Sequence, residues 1–283
     1  MASGSTHIPL VTKVFDQLNL QGPEHLPQSG ALARTLRKHI KDRGMQFNLR
    51  ATDAALFGSA AVEMWLKAVH SFLISTSVMK ASPVWSAVSG YYASHYIMRA
   101  FSHLFGHFIL RRDKQVVEMT LNRGYFCDIK KKNKLVEHQY YWELPHGEFG
   151  IAGNALFSTN PPIKDDSETS DGFHRVYANY FDHVDRFPEF TPLDEAFLRA
   201  RVDRISELVT DSPKVPDNAK FPDLDAVHVL AYARIIRFRK FLDEAIDPRN
   251  RFWSFYRKPS WFSKYMDFQI RESPTLSSDK VVL

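Results

Sequence analysis

From Ala93 to Phe108 the apolar residues Ala93, Ile97, Ala100, Phe101, Leu104, Phe105 and Phe108 share one side of a helical wheel. Such a stripe has to be covered by other elements, so the chain must build a core around this helix. Ser82 and Pro83 supply a cap and a first-turn proline ahead of it, and Gly106 stands near its end. The same spacing predicts helices over 29–44, 51–73, 173–187, 192–211 (behind Thr191-Pro192) and 224–246.

Between these helical stretches the pattern changes. "FILRR", "QVVEMTL" and "YFCDIKKKNKLVEHQYYWEL" are rich in β-branched and aromatic residues, which predicts a small β insertion at about 108–145. The Lys-Asn cluster at 130–134 reads as the turn between two extended runs. Residues 145–172 read as loop, and 272–283 as a flexible tail. The expected fold class is therefore mainly α: a helical bundle in one domain over 1–271, with a small antiparallel β insertion.

A hydrophobic content of 44% supports a sizeable core. The net charge of +5 is unevenly spread. Residues 111–134 carry eight Lys and Arg against three Asp and Glu, 234–264 carry nine against three, and 161–195 reverse the balance with three against nine. Clustered positive charge favours contact with an anionic surface such as nucleic acid. The single cysteine, Cys127, excludes an internal disulfide framework and a multi-cysteine zinc site. No apolar run approaches a membrane span and no signal-peptide layout opens the sequence, so a cytoplasmic protein without membrane contact is expected.

The other side of the Ala93–Phe108 helix holds His95, Arg99, Ser102 and His103, with Tyr92, Tyr96 and His107 at its margin and no Asp, Glu or Lys. Arginine offers forked donors to a phosphate, histidine exchanges protons near neutral pH, and tyrosine stacks on bases. These groups could cut RNA without a metal or other cofactor, by acid–base catalysis at the 2′-hydroxyl and the leaving oxygen. Equally, they could form a half-buried seam of hydrogen bonds between helices. The stretch "FHRVYANYFDHVDRF" repeats the design, with Arg175, Asn179 and His183 on its polar side. If both polar faces meet one groove, Arg99 and Arg175 would hold the scissile phosphate. His103 and His183 would then exchange protons, Asn179 would orient an oxygen, and His95 and His107 would assist. The alternative is a mutual polar interface with Asp182 paired to an arginine.

Other signals are thinner. His103 and His107 have the spacing of a two-histidine metal pair but lack a zincin glutamate, and no metal is expected. "RNRFWSFYRKPSWFSKYMDF" interleaves Arg249, Arg251, Arg257 and Lys258 with Trp253, Tyr256 and Trp261. That alternation suits single-stranded nucleic acid, docking of a partner protein, or an amphipathic wrap against the chain's own core.

The run "SAVSGYYASHYIMRAFSHLFG" (86–106) resembles the helix of HEPN-type domains, where a small residue and paired tyrosines precede an alanine-bearing apolar helix. The resemblance implies a helical bundle. It also implies RNA handling, in many members by metal-independent endoribonucleases that act as dimeric toxins or effectors of prokaryotic antiviral defence. The family's catalytic signature is an arginine followed by a histidine after four to six residues. Arg99 precedes His103 by three intervening residues and His107 by seven, whereas Arg34 and His39 in "RTLRKH" have four between them. Members lacking the signature resemble binding or scaffolding modules. The rival expectation is thus a non-catalytic subunit that docks a partner protein through 249–268.

Overall fold

In a computed structural model, the residues described are 8–22, 29–77, 83–112, 115–122, 124–132, 138, 140–142 and 223–257. They form α1 (Ile8–Gln21), α2 (Ser29–Arg43), β1 (Gln46–Asn48), α3 (Ala51–Ser77), α4 (Pro83–Leu104), β2 (His107–Arg112), β3 (Gln115–Leu121), β4 (Phe126–Lys132), α5 (Asp223–Ala245) and α6 (Arg251–Tyr256). The fold is mainly α with one small antiparallel sheet, as the residue pattern predicts. The helices expected at 173–187 and 192–211, and the tail from 272, lie outside the described residues.

Two compact units divide the chain. The first comprises Met1–Trp65, Met98–Gly150 and Lys240–Arg257, the second Leu66–Ile97, Ile151–Arg239 and Lys258–Leu283. α3, α4 and α5 each contribute residues to both.

In the first unit, α2 carries Leu32, Leu36 and Ile40 on its buried side and ends at Gly44, whose φ of 85° and N–H to the Ile40 carbonyl (3.0 Å) form a left-handed stop. Lys41 and Arg43 in its last turn oppose the negative end of the helix dipole. The sheet has the order β1-β4-β3-β2, antiparallel throughout. Phe47, Phe108, Leu110, Val117, Met119, Leu121, Cys127 and Ile129 make one buried face, alternating along β1, β3 and β4, whereas in β2 His107 and Ile109 on the other face are buried too. α3 packs on this face through Phe57, whose ring meets Phe108 edge-on at 6.5 Å. α1 crosses α3 at Gly58, where a Cβ would lie 2.4 Å from Val14 Cγ1, so only glycine allows that approach.

Two details of the β region differ from the sequence reading. Lys130, Lys131 and Lys132, expected in a turn, lie inside β4, which follows β3 after a turn where Tyr125 has φ 60°. Pairing with β3 keeps the lysines extended, and Lys130 and Lys131 are exposed beyond the buried stretch of the strand. Residues 140–142, expected to be extended, are helical. There the Tyr140 hydroxyl donates to Glu118 (2.9 Å), and the Tyr141 hydroxyl accepts the Ile109 N–H (3.3 Å). Side-chain anchoring onto β2 and β3 outweighs the extended preference of an aromatic run.

The described residues of the second unit are Leu66–Ser77 of α3, Pro83–Ile97 of α4 and Asp223–Arg239 of α5. Val69, Phe72, Val88, Ile97, Ile235 and Phe238 are among its buried residues. It also buries a polar knot: the Ser75 hydroxyl donates to the Ser86 carbonyl and the Ser86 hydroxyl to the Ser75 carbonyl, both at 2.7 Å. His228 Nε2 lies 2.8 Å from Ser86 Oγ. With the Ser86 proton directed to the carbonyl, that oxygen accepts from the imidazole.

Candidate functional site

The helix α4 is buried nearly all round. His95, Ser102, His103 and His107 are each 2% exposed or less, Tyr92, Tyr96 and Arg99 are half-buried, and Trp85 alone among its large hydrophobic residues stands well out. Trp85, Ser89, Tyr92, Tyr96 and Arg99 follow helical spacing as its one partly exposed stripe, and the buried histidines lie off that stripe. His107 is not on the helix at all: Gly106, with φ 87° and its carbonyl accepting the Leu121 N–H (2.8 Å), turns the chain so that His107 opens β2.

In the first unit, Arg99 and His103 meet around Tyr141. The Arg99 guanidinium lies 5.2 Å from the centroid of the Tyr141 ring, and His103 meets that ring edge-on at 5.8 Å. His103 Nδ1 donates to the His107 carbonyl (3.1 Å), which fixes the proton on Nδ1 when the ring is neutral. The phenol that receives both residues is itself tied to the Ile109 N–H. Tyr141 was not singled out from sequence; the aromatic triplet Tyr140-Tyr141-Trp142 in a polar surrounding was the available signal.

In the second unit, the rings of α4 stack along one helix. Tyr91 and His95 lie parallel within 8° at 6.1 Å, and Tyr92 and Tyr96 are 6.1 Å apart. These are neighbours one turn apart, and the stacking encloses the His95 ring rather than presenting it.

The basic-aromatic segment separates by side chain. Trp253 and Tyr256 are buried, with Trp253 against Trp65 at 5.4 Å and Tyr256 against Phe252 at 4.9 Å. The Trp253 indole N–H and the Arg257 guanidinium both donate to Asp243 Oδ1, at 2.7 and 2.8 Å. Asn250 caps α6 by accepting the Trp253 N–H and donates to the Phe15 carbonyl, which closes α6 on α1. Arg249 and Arg251 are exposed. Among the described residues this segment therefore packs Phe252, Trp253 and Tyr256 into the core and leaves Phe255 and these two arginines outside. Asn250 and Asp243, which organise it, were missed in the sequence because neither stands out without its distant partner.

The Arg34–His39 pattern does not make one site. Arg34 is exposed on α2, whereas His39 turns inward: its Nε2 is 3.1 Å from Asp53 Oδ2 and its ring stacks on Phe47 at 5.1 Å. Arg175, Asn179, His183, Lys258 and Trp261 lie outside the described residues, and with them the second half of the expected constellation. Among the described residues no cluster of three or more His, Cys, Asp and Glu could hold a metal, and no helix is long and apolar enough to cross a membrane. Burial and the neighbouring Asp128 push the Cys127 thiol up to about 12, so it is not a nucleophile at neutral pH.

No protein-family model, curated protein or solved structure matches the chain. The described residues form a mainly α fold carrying a four-stranded antiparallel sheet, with His95, His103, His107 and His228 buried and many cations exposed.

Proposed function

We propose that this chain is an RNA-handling protein of HEPN-like kind that binds RNA through exposed cations. The observation that carries the reading is the partition of side chains in the first unit. His103 and His107 are buried, while α2 turns lysines and arginines outward and the sheet adds exposed Arg111, Lys130 and Lys131. A general acid or base must reach the proton it transfers, whereas a phosphate contact needs only an accessible cation. A role as an effector or subunit in prokaryotic defence is the setting that the HEPN resemblance suggests. Docking of a partner protein by Trp253 and Tyr256 of α6 is less favoured, because both are already packed.

The test is to incubate purified protein with total RNA in excess chelator, scoring both retention on a filter and new RNA termini. Retention without cleavage, unchanged in His103→Ala at a temperature where that variant is folded, is expected. Cleavage by the wild type that His103→Ala abolishes would replace binding with catalysis, and absence of retention would remove the RNA reading altogether.

A further inference from the structure

We infer that the outward face of α2 is where the RNA backbone docks; this inference rests on the RNA-handling reading. Arg34, Arg37, Lys38 and Lys41 are all exposed, and on the helical wheel they form one stripe opposite Leu32, Leu36 and Ile40. Neighbouring members stand three or four residues apart, about 5–6 Å between Cβ atoms, and the stripe runs roughly 10 Å along the axis.

The chemistry of this stripe differs from that of an ordinary solvated face. Four cations repel one another through the pairs 34–37, 34–38, 37–41 and 38–41, an arrangement that is destabilising on an isolated helix. Among the described residues none of the four is in an ion pair, and Asp42, on the flank, is the helix's only acid. Arg37 Nη2 donates instead to the main-chain carbonyl of Arg111 (3.2 Å), which holds the stripe against the exposed end of β2, where Arg111 adds a further cation. An external row of phosphates relieves this repulsion at every position, with arginine offering forked donors and lysine a point charge. RNA supplies such a row with a charge at each nucleotide, whereas an acidic peptide would have to present carboxylates in matching register.

The experiment measures binding of a fluorescent single-stranded RNA by anisotropy at several salt concentrations. It uses full-length wild type, Arg34→Gln/Lys38→Gln and a charge-matched control, Lys13→Gln/Lys67→Gln, which changes exposed lysines of α1 and α3. Glutamine keeps helix propensity, and far-UV circular dichroism checks the fold. The stripe variant is expected to bind about tenfold more weakly or worse, and to lower the slope of log Kd against log salt by about 1.4, at roughly 0.7 per phosphate contact. The control should match wild type. Wild-type binding that the stripe variant retains would overturn the docking surface and leave the RNA reading standing. No binding by wild type would overturn both, including the case in which polyglutamate is retained instead.

Discussion

Ser75 and Ser86 exchange hydroxyl-to-carbonyl hydrogen bonds, each 2.7 Å long, with His228 Nε2 2.8 Å from the Ser86 oxygen. A serine on each of α3 and α4 thus satisfies a buried carbonyl on the other, and a histidine of α5 completes the group. Ser86→Ala removes the donor to the Ser75 carbonyl and the partner of His228 together. A buried polar group left unsatisfied costs about 1–3 kcal/mol, so urea denaturation should show a loss of about that size. A loss below about 0.5 kcal/mol, the ordinary scale of a neutral surface change, would mean that the knot contributes little.

Gly106 combines a φ of 87° with a Cβ position 2.7 Å from the Leu121 carbonyl oxygen. Alanine there would strain the backbone and press on β3 at once. Gly106→Ala should lower the midpoint of thermal unfolding more than Gly124→Ala, where nothing lies within 4 Å and no positive φ is involved. Equal midpoints would show that β3 can shift freely.

Asp243 accepts both the Trp253 indole N–H and the Arg257 guanidinium. Trp253→Phe keeps most of the ring contact with Trp65 and loses one charge-assisted hydrogen bond, at a cost of about 1.5–3 kcal/mol. Trp253→Ala also opens a cavity, for a total of about 3–5 kcal/mol. If both substitutions left RNA binding unchanged in folded protein, the ring would be core and not a stacking platform; a selective loss of binding in folded Trp253→Phe would point the other way.

Cys127 sets a pH dependence. Its thiol is pushed up to about 12, from an ordinary value of 9.0, by burial and by Asp128. The folded state keeps the proton that the unfolded chain releases above pH 9, so stability is fully present below that pH and declines as pH rises toward 12. Denaturation midpoints of wild type and Cys127→Ala should therefore converge between pH 8 and pH 10.5, the wild type losing more. Parallel curves would show that the thiol is not protected. Native protein should also resist alkylation at neutral pH and react once unfolded.

Helix periods carry most of what could be read from the residues alone. α2, α3, α4 and α5 fall close to their expected spans, because their apolar repeats are long and their stops, Gly44 and Gly106, are local. β1 was invisible: three residues carry no period, and Gln46–Asn48 is a strand only because β4 offers it an edge. α1 was not expected as a helix, and its place depends on contacts with α3 and α6 that are remote in sequence. Lys130 to Lys132, expected in a turn at 130–134, look like a loop until β3 pairs with them.

For the candidate site, the residue pattern identified α4 as unusual and named Arg99 and His103, which do share Tyr141. Whether an imidazole on that helix faces solvent depends on how many neighbours surround it, and helical spacing records only which residues lie side by side. Short-range spacing and residue type are enough to read α2 to α5, the segregation of charge and the identity of the polar groups. That His95, His103, His107, Trp253 and Tyr256 go inside while the cations of α2 stay out follows from long-range packing of elements far apart in the chain, which sets burial.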